Sequence, residues 1–185
     1  MRIIGGEAKG RRLTAPVGTD TRPTADKTRE SLFNILMREV PDAKVLDLFG
    51  GTGALALEAM SRGAKSAVIN DSAASAIKAI QTNVCAVTGK DADVRVLKLD
   101  YRAALKSLAG EEFDLIFLDP PYKLGEAYLT SALLIAQHRL LGKEGLIVAE
   151  RSGRTQIDWP KPFTVKDTRS YRDTSVDFVS WEAAL

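Results

Sequence analysis

The amino-acid sequence predicts an α/β fold in which helices cover both faces of a mostly parallel sheet. From Lys44 onward, apolar segments of strand length alternate with amphipathic segments of helix length, and this alternation is typical of parallel sheets. The tail from Phe163 instead offers two extended segments joined at Arg172-Asp173, with no room for a helix between them. It therefore indicates an antiparallel hairpin at one sheet edge. Five parallel strands and this hairpin give seven strands.

The strands and helices of the parallel part follow from their apolar patterns. The strands are predicted at residues 44–50, 66–71, 93–100, 113–119 and 145–150. The first helix is predicted at residues 54–63 and is closed by Gly63. The second carries Ala73, Ile77, Ile80, Val84 and Val87 at helical spacing, and two further helices are predicted at residues 103–108 and 125–141. Cys85 lies in the apolar run of the second helix, so we expect it in the core.

The N-terminal part precedes the alternating pattern. Residues 1–22 contain GGEAKG and PVGTD between short extended pieces, which indicates a small hairpin-like extension. Residues 23–185 then form the main domain. This domain opens with a helix that ends before Pro41. The inward residues of that helix are Leu32, Phe33, Leu36 and Val40.

Bulk properties bound the function. The 185 residues include a single cysteine, which excludes an intramolecular disulfide and a multi-cysteine zinc site. No apolar run approaches the roughly 20 residues that cross a bilayer, and residues 1–12 lack the apolar stretch of a signal peptide. We expect a cytoplasmic monomer with no metal site and no membrane partner.

The charge of the chain is unevenly distributed. The formal net charge is +2, yet residues 1–38 hold eight basic and four acidic side chains. Such asymmetry predicts a polyanionic partner at the N-terminal end. A solvated basic arm is the alternative.

A glycine-rich loop joins the first predicted strand to its helix. Gly50, Gly51 and Gly53 allow a sharp turn and a close approach to a ligand at a helix N-terminus. Residues 51–56 also fit the pattern G-x-G-x-x-A, and Asp71 lies near the ribose-binding distance of a dinucleotide site. An NAD-dependent oxidoreductase is therefore one alternative.

Asp47 favours a different ligand. A carboxylate just before the glycines would repel a pyrophosphate, whereas it suits a ligand with a cationic amino or sulfonium group. S-adenosylmethionine fits: its amino-acid end would lie near the glycine loop, its ribose hydroxyls on Asp71, and its adenine near Asp100.

The fourth predicted strand ends in Asp119-Pro120-Pro121-Tyr122. The prolines stop the strand because they cannot donate to a sheet ladder. Ligands of open α/β sheets bind at this carboxyl end of the strands. An acid, a stiffened backbone and an aromatic ring are therefore predicted at the ligand edge.

The order of four motifs carries a family resemblance. DLFGGTG, VIND, LKLD and LDPPY resemble class I S-adenosylmethionine-dependent methyltransferases. A glycine motif followed by D-P-P-Y after the fourth strand is typical of enzymes that methylate exocyclic amines of nucleobases. The segments RIIGGEAKGRRLTAP and DTRPTADKTRESLFNIL further resemble the RsmD family of 16S ribosomal RNA guanine-N2 methyltransferases, and the resemblance covers essentially the whole chain.

The resemblance implies a Rossmann-like fold with strand order 3-2-1-4-5-7-6. It implies methyl transfer to N2 of a guanine in 16S rRNA, within the small ribosomal subunit or an assembly intermediate. Methylation of adenine N6 in DNA or RNA shares the aromatic motif and is an alternative, as is an RNA-binding assembly factor without activity. The implied cofactor contacts are Asp47, Phe49, Gly50, Gly51, Thr52, Gly53, Asp71, Ser72, Asp100, Tyr101 and Asp119.

Two departures from the family pattern are visible. The loop reads DLFGGTG where the family has DLFAGSG, a change that keeps the essential glycines. The second strand ends in Asn70-Asp71-Ser72 where the family has Glu and a charged pair. The ribose contact is therefore assigned to Asp71 or Asn70.

The catalytic residues implied are Asp119, Pro120, Pro121 and Tyr122. Asp119 and the Pro120 carbonyl would accept the hydrogens of the target amine, while Tyr122 would stack on a base drawn out of its helix. The RNA contacts expected in the basic segment are Arg2, Lys9, Arg11, Arg12, Arg22 and Thr24.

Overall fold

The computed structural model of the protein describes residues 1–16, 26–89, 91–121 and 124–182. Its helices are α1 (Asp26–Ile35), α2 (Ala54–Ser61), α3 (Ala74–Val87), α4 (Tyr101–Ser107) and α5 (Ala127–His138), with a 3-10 helix at Leu36–Arg38. Its strands are β1 (Lys44–Asp47), β2 (Ser66–Asn70), β3 (Val94–Leu97), β4 (Phe113–Leu118), β5 (Leu141–Ser152), β6 (Phe163–Tyr171) and β7 (Thr174–Trp181).

The strands form one seven-stranded sheet in the order β3-β2-β1-β4-β5-β7-β6. The first five strands are parallel, and β7 runs antiparallel to both β5 and β6. The predicted fold class, strand order and terminal hairpin are confirmed.

Two apolar layers sandwich the sheet. On one face, α1, α2 and α3 pack into a core that includes Phe33 and Phe117, whose rings lie 6.0 Å apart. On the other face, α4 and α5 cover a second core that includes Leu105 and Ile135. All four predicted inward residues of the first helix, Leu32, Phe33, Leu36 and Val40, are buried.

Several local predictions were wrong. Cys85 is exposed, and Ala73 is the exposed N-cap of α3 rather than part of its inward face. The inward stripe of α3 instead continues through Asn83, because the Asn83 amide has buried backbone partners. The strand predicted at residues 145–150 extends from Leu141 to Ser152, since Leu141 already pairs with Phe113.

The described part of the N-terminal segment is a narrow antiparallel hairpin. Arg2 bridges Arg12, the Ile3 N–H donates to the Arg11 carbonyl at 2.9 Å, and the Gly10 N–H donates to the Ile3 carbonyl at 2.9 Å. Ile3, Ala8 and Leu13 join the same core as the sheet. Residues 17–22 lie outside the described residues, so the boundary at residue 22 stays a prediction.

Glu58 anchors this hairpin to α2. Its buried carboxylate accepts the Ile4 N–H at 2.8 Å and the Gly5 N–H at 2.7 Å. It also pairs with Arg62 at 2.8 Å and lies 3.8 Å from the buried Arg29. One fully buried acid therefore joins α1, α2 and the N-terminal hairpin.

Within the described residues, no helix has the length and apolar character needed to span a membrane.

Candidate active site

The glycine loop connects β1 to α2 at the carboxyl edge of the sheet. The Gly50 N–H donates to the Asn70 carbonyl at 2.7 Å, and a Cβ at Gly50 would lie 2.6 Å from Ile69. Gly51 has a φ of +56°, and a Cβ built there would meet no atom of the described segments within 4 Å. The loop is thus pressed against β2 on one side and open on the other, as a ligand cradle requires.

Asp47 ends β1 beneath this loop. Its side chain is 2% exposed and accepts the Ala56 N–H of α2 at 3.4 Å. Burial, followed by the charge of Asp71, raises the pKa of Asp47 to about 7, although the backbone donors of Ala56 and Phe49 oppose the rise. A buried carboxyl with no cation among the described residues beside it suits a cationic ligand group.

Asp71 lies directly after β2 and faces the glycine loop. Its Oδ2 accepts the Gly51 N–H at 2.9 Å, and its Oδ1 accepts the Ala73 N–H at 2.8 Å. Each carboxylate oxygen has further acceptor capacity, so Asp71 can also accept from a ribose hydroxyl.

Asn70 is committed to the fold. Its Nδ2 donates to the carbonyls of Leu48 and Leu99, both at 3.1 Å, and its Oδ1 accepts the Leu99 N–H at 3.2 Å. Both amide hydrogens are therefore used. Of the two alternatives left open by the sequence, this geometry favours Asp71 for the ribose.

An aromatic pair borders the loop on the side of α4. The rings of Phe49 and Tyr101 lie 5.4 Å apart, and the buried Tyr101 hydroxyl has no hydrogen-bond partner among the described residues. Asp100 caps α4 by accepting the Arg102 N–H at 2.9 Å. Of the remaining predicted contacts, Ser72 is exposed beside Asp71, and Thr52 is buried within the loop.

Asp119 and Pro120 follow β4. Burial, then the charges of Glu150 and Asp47, raises the pKa of Asp119 well above its ordinary value. Among the described residues, no side chain or N–H donates to the Asp119 carboxylate or the Pro120 carbonyl. Asp119 is half-buried and Pro120 is buried, and the described residues leave the hydrogen-bonding capacity of both acceptors unused. Pro121 is exposed, and its carbonyl accepts the Leu124 N–H at 2.8 Å; Tyr122 lies outside the described residues.

The sheet register brings the two halves of the site together. Asp47 is level with Phe117 on the neighbouring parallel strand, so Asp119 comes level with Phe49, next to the glycine loop. Adjacent strands are about 4.8 Å apart. The cofactor loop and the Asp119–Pro120 turn therefore share one edge of the sheet, separated by one strand spacing.

Sequence reasoning left two contributors without an assigned role. Glu150, one residue beyond the level of Leu118 on β5, raises the pKa of Asp119. Asn83 donates to the Thr52 carbonyl at 2.9 Å and also bonds the backbone of Thr14 at 2.7 and 2.9 Å. The only signal for Asn83 was a polar residue on an otherwise apolar helix face.

The predicted RNA-binding cations lie along the N-terminal hairpin. Arg2, Lys9, Arg11 and Arg12 are all exposed, and Arg2 pairs with Asp26 at 3.4 Å. The Leu13 N–H donates to the Met1 carbonyl, and the Met1 sulfur contacts the Thr52 hydroxyl at 3.5 Å. The end of the hairpin that carries Arg2 and Arg12 therefore lies nearer the glycine loop than the turn of the hairpin does. Arg22 and Thr24 lie outside the described residues.

The fold and the site at its carboxyl edge define a Rossmann-like class I methyltransferase. The family described as Conserved hypothetical protein 95 matches residues 1–180. The chain is 39% identical over 170 residues to the "Putative rRNA methyltransferase YlbH" of Bacillus subtilis, covering 90% of this chain and 89% of that protein. It is 37% identical over 150 residues to Ribosomal RNA small subunit methyltransferase D of Escherichia coli, covering 81% and 74% of the two chains.

A solved structure agrees with these relatives. The "Putative methyltransferase yhhF from Escherichia coli" superposes with a TM-score of 0.87 at 29% identity, covering 100% of this chain and 99% of that one. The chain belongs to the Conserved hypothetical protein 95 family, together with Ribosomal RNA small subunit methyltransferase D.

Proposed function

We propose that the protein transfers a methyl group from S-adenosylmethionine to the exocyclic N2 of a guanine in 16S ribosomal RNA of the small subunit. The observation that carries the proposal is the position of the Asp119–Pro120 turn, one strand spacing from the glycine loop at the same sheet edge. The relationship to Ribosomal RNA small subunit methyltransferase D supports rRNA as the substrate class.

The residues around the glycine loop suit S-adenosylmethionine. Asp47 offers a buried carboxyl to the cationic amino-acid end, and Asp71 offers acceptors to the ribose. The Phe49–Tyr101 pair gives an apolar wall next to Asp100, where the adenine is expected. The pyrophosphate of NAD would instead be repelled by the carboxylates of Asp47 and Asp71. This repulsion argues against the NAD-dependent alternative. Bound S-adenosylmethionine supplies an electrophilic methyl group on its sulfonium.

Asp119 and Pro120 act on the target amine. The guanine N2 lone pair is delocalised into the ring, so the amine is a poor nucleophile. Two acceptors, the Asp119 carboxylate and the Pro120 carbonyl, hold the amine hydrogens and favour a pyramidal nitrogen. Because the pKa of Asp119 is raised, its carboxylate is also a better acceptor for the proton that the nitrogen loses. Tyr122 stacks on the extruded base, a contact worth roughly 1–3 kcal/mol.

The N-terminal extension, residues 1–22, holds the RNA, while residues 23–185 bind the cofactor and catalyse transfer. Arg2, Lys9, Arg11 and Arg12 contact phosphates and contribute salt-dependent affinity. Arg22 and Thr24 add further RNA contacts in this proposal.

The test is tritiated methyl transfer onto small ribosomal subunits from cells that lack the protein, followed by mapping of the modified nucleotide. We expect one guanine to gain one methyl group at N2. A methyl group on adenine N6 would replace the proposal with its nearest alternative. Calorimetry with S-adenosylhomocysteine and with NAD, in parallel, would reveal an oxidoreductase site if only NAD bound.

A further inference from the structure

A polar groove separates the loop after β5 from the turn that joins β6 to β7. It has a volume of about 670 Å³, and its lining includes Ser152, Arg154, Thr155, Ser170, Arg172 and Ser175. We call it the arginine groove. Its two walls meet where the Gly153 N–H donates to the Asp173 carbonyl at 2.8 Å, so the groove is built by the fold.

Two arginines of the arginine groove are uncommitted. Arg154 and Arg172 are exposed, and neither forms an ion pair within the described parts of the chain. The neighbouring Arg151, by contrast, is held by Asp177 at 2.8 Å and 3.0 Å. Asp173 is the one carboxylate among the described residues that line the groove, so arginines outnumber acids there two to one.

Hydroxyl groups accompany these arginines. Ser152 and Thr155 lie on one wall, and Ser170 and Ser175, whose hydroxyl oxygens are 3.3 Å apart, lie on the other. Guanidinium and hydroxyl donors together are the groups that proteins use to hold phosphate oxygens. No large apolar side chain lines the groove in the described part of the chain, whereas a protein partner would bury an apolar patch.

The arginine groove opens at the edge that carries the active site. Ala149 of β5 is level with Leu118, the residue before Asp119, and Ser152, three residues further along β5, pairs with Thr174 of β7. With strands about 4.8 Å apart and residues about 3.3 Å along a strand, the groove lies on the order of 10–15 Å from Asp119. Nucleotides flanking a base held at Asp119 can reach it.

We propose that the arginine groove binds backbone phosphates of the RNA strand that carries the target base. This inference rests on the proposed function, and it places a second RNA contact across the active site from the N-terminal hairpin. Phosphate contacts of this kind orient a strand without reading its sequence.

The test variant is Arg154→Gln with Arg172→Asn. Asn is chosen at position 172 because the backbone there has a φ of +45°, a conformation that Asn tolerates well. The matched control, Lys65→Gln with Lys143→Gln, removes two exposed charges just before β2 and near the start of β5, at the opposite, amino edge of the sheet. Melting temperatures establish that both double variants are folded, and each single variant is measured alongside.

The probes are protein-free 16S rRNA transcripts and small ribosomal subunits from cells that lack the protein. We expect the double variant to raise KM for both probes by roughly 10-fold, with kcat and S-adenosylhomocysteine affinity unchanged. The slope of log Kd against log salt should fall by about 1.4, since each phosphate contact on a single strand contributes about 0.7. The control should match the unmodified protein.

An unchanged KM and salt slope would overturn the inference. A raised KM for ribosomal subunits alone, with transcript binding intact, would also overturn the inference, because it would indicate that the groove contacts a ribosomal protein. If the unmodified protein transferred no methyl group, the proposed function would fail, while transcript binding would still decide the role of the groove.

Discussion

At the scale of single residues, the buried Asp47 carboxyl is expected to lower the free energy of unfolding at neutral pH, at a position proposed to bind the cofactor. Its carboxyl is buried, and its pKa is raised to about 7, so the folded chain keeps a proton that the unfolded chain loses from about pH 3.8 upward. Stability therefore falls as pH rises between these values, and the loss is complete above about pH 7. At about 1.4 kcal/mol per tenfold change, it amounts to on the order of 4 kcal/mol.

Asp47→Asn should therefore raise the free energy of unfolding at pH 8 by a few kcal/mol and weaken S-adenosylhomocysteine binding at least 10-fold. Urea unfolding across pH 4–8 and calorimetry measure the two effects. Asp91→Asn, which changes an exposed acid before β3, is the control and should alter neither. Tighter or equal ligand binding by Asp47→Asn would exclude the proposed cation contact.

Asp71 and Asn70 are distinguished by their partners. Asp71→Asn keeps one acceptor oxygen for the N–H groups of Gly51 and Ala73 and places an amide donor against the other. It also removes the charge that strengthens a bond from ribose. We expect about 10-fold weaker S-adenosylhomocysteine binding and a loss of about 1 kcal/mol in the free energy of unfolding. Asn70→Ala should instead lower stability by about 1–3 kcal/mol, because it leaves the carbonyls of Leu48 and Leu99 and the Leu99 N–H without their partner. The opposite pattern would assign the ribose to Asn70.

Glu150 tunes Asp119 through its charge. In the proposed mechanism an ionised Asp119 accepts the proton, and its pKa is raised, so kcat should increase with pH on the acid side. Glu150→Gln removes a charge that raises this pKa, so the midpoint of the kcat–pH profile should move to lower pH. Glu144→Gln, an exposed change near the start of the same strand, should leave the midpoint in place. No movement with Glu150→Gln would mean that another group sets the acid limb.

At the scale of elements, the N-terminal hairpin depends on one buried acid of α2. Glu58→Ala removes the acceptor for Ile4 and Gly5 and leaves Arg29 buried beside an empty position. We expect a loss of about 3–5 kcal/mol in unfolding free energy. Glu39→Ala, an exposed acid, provides the comparison. A loss below about 1 kcal/mol, typical of a surface ion pair, would show that the hairpin is held mainly by its apolar residues.

The sequence predicted the presence and order of helices and strands better than it predicted where they end and which side chains they bring into contact. Alternating apolar segments revealed β1 to β4, yet Gly142, Lys143 and Glu144 concealed the first part of β5. Cys85 was placed inside because its neighbours are apolar, whereas Asn83 occupies the inward position of α3. Glu58 and Asn83 bond backbone groups 53–69 residues away in the chain. A local pattern carries no information about such distant partners.

At the scale of the whole molecule, strand order creates the site. Asp47, Asp71 and Asp119 each follow or end a parallel strand, so the sequence could place all three at one edge before any contact was known. The register between β1 and β4 then sets Asp119 beside the glycine loop. The implied strand order already placed β5 next to β4. The interaction of Glu150 with Asp119 also required the register between these strands, which the local sequence of neither strand reveals.

In the proposed reaction, Asp119 acts on the target amine rather than on cofactor binding. The most direct measurement is single-turnover methyl transfer to small ribosomal subunits by Asp119→Asn, with S-adenosylhomocysteine affinity measured on the same preparation and Glu112→Gln, an exposed acid before β4, as the control. We predict a rate about 10²–10⁴-fold lower with affinity within several-fold of the unmodified protein. A near-normal rate, or an affinity that falls in proportion to the rate, would contradict the account.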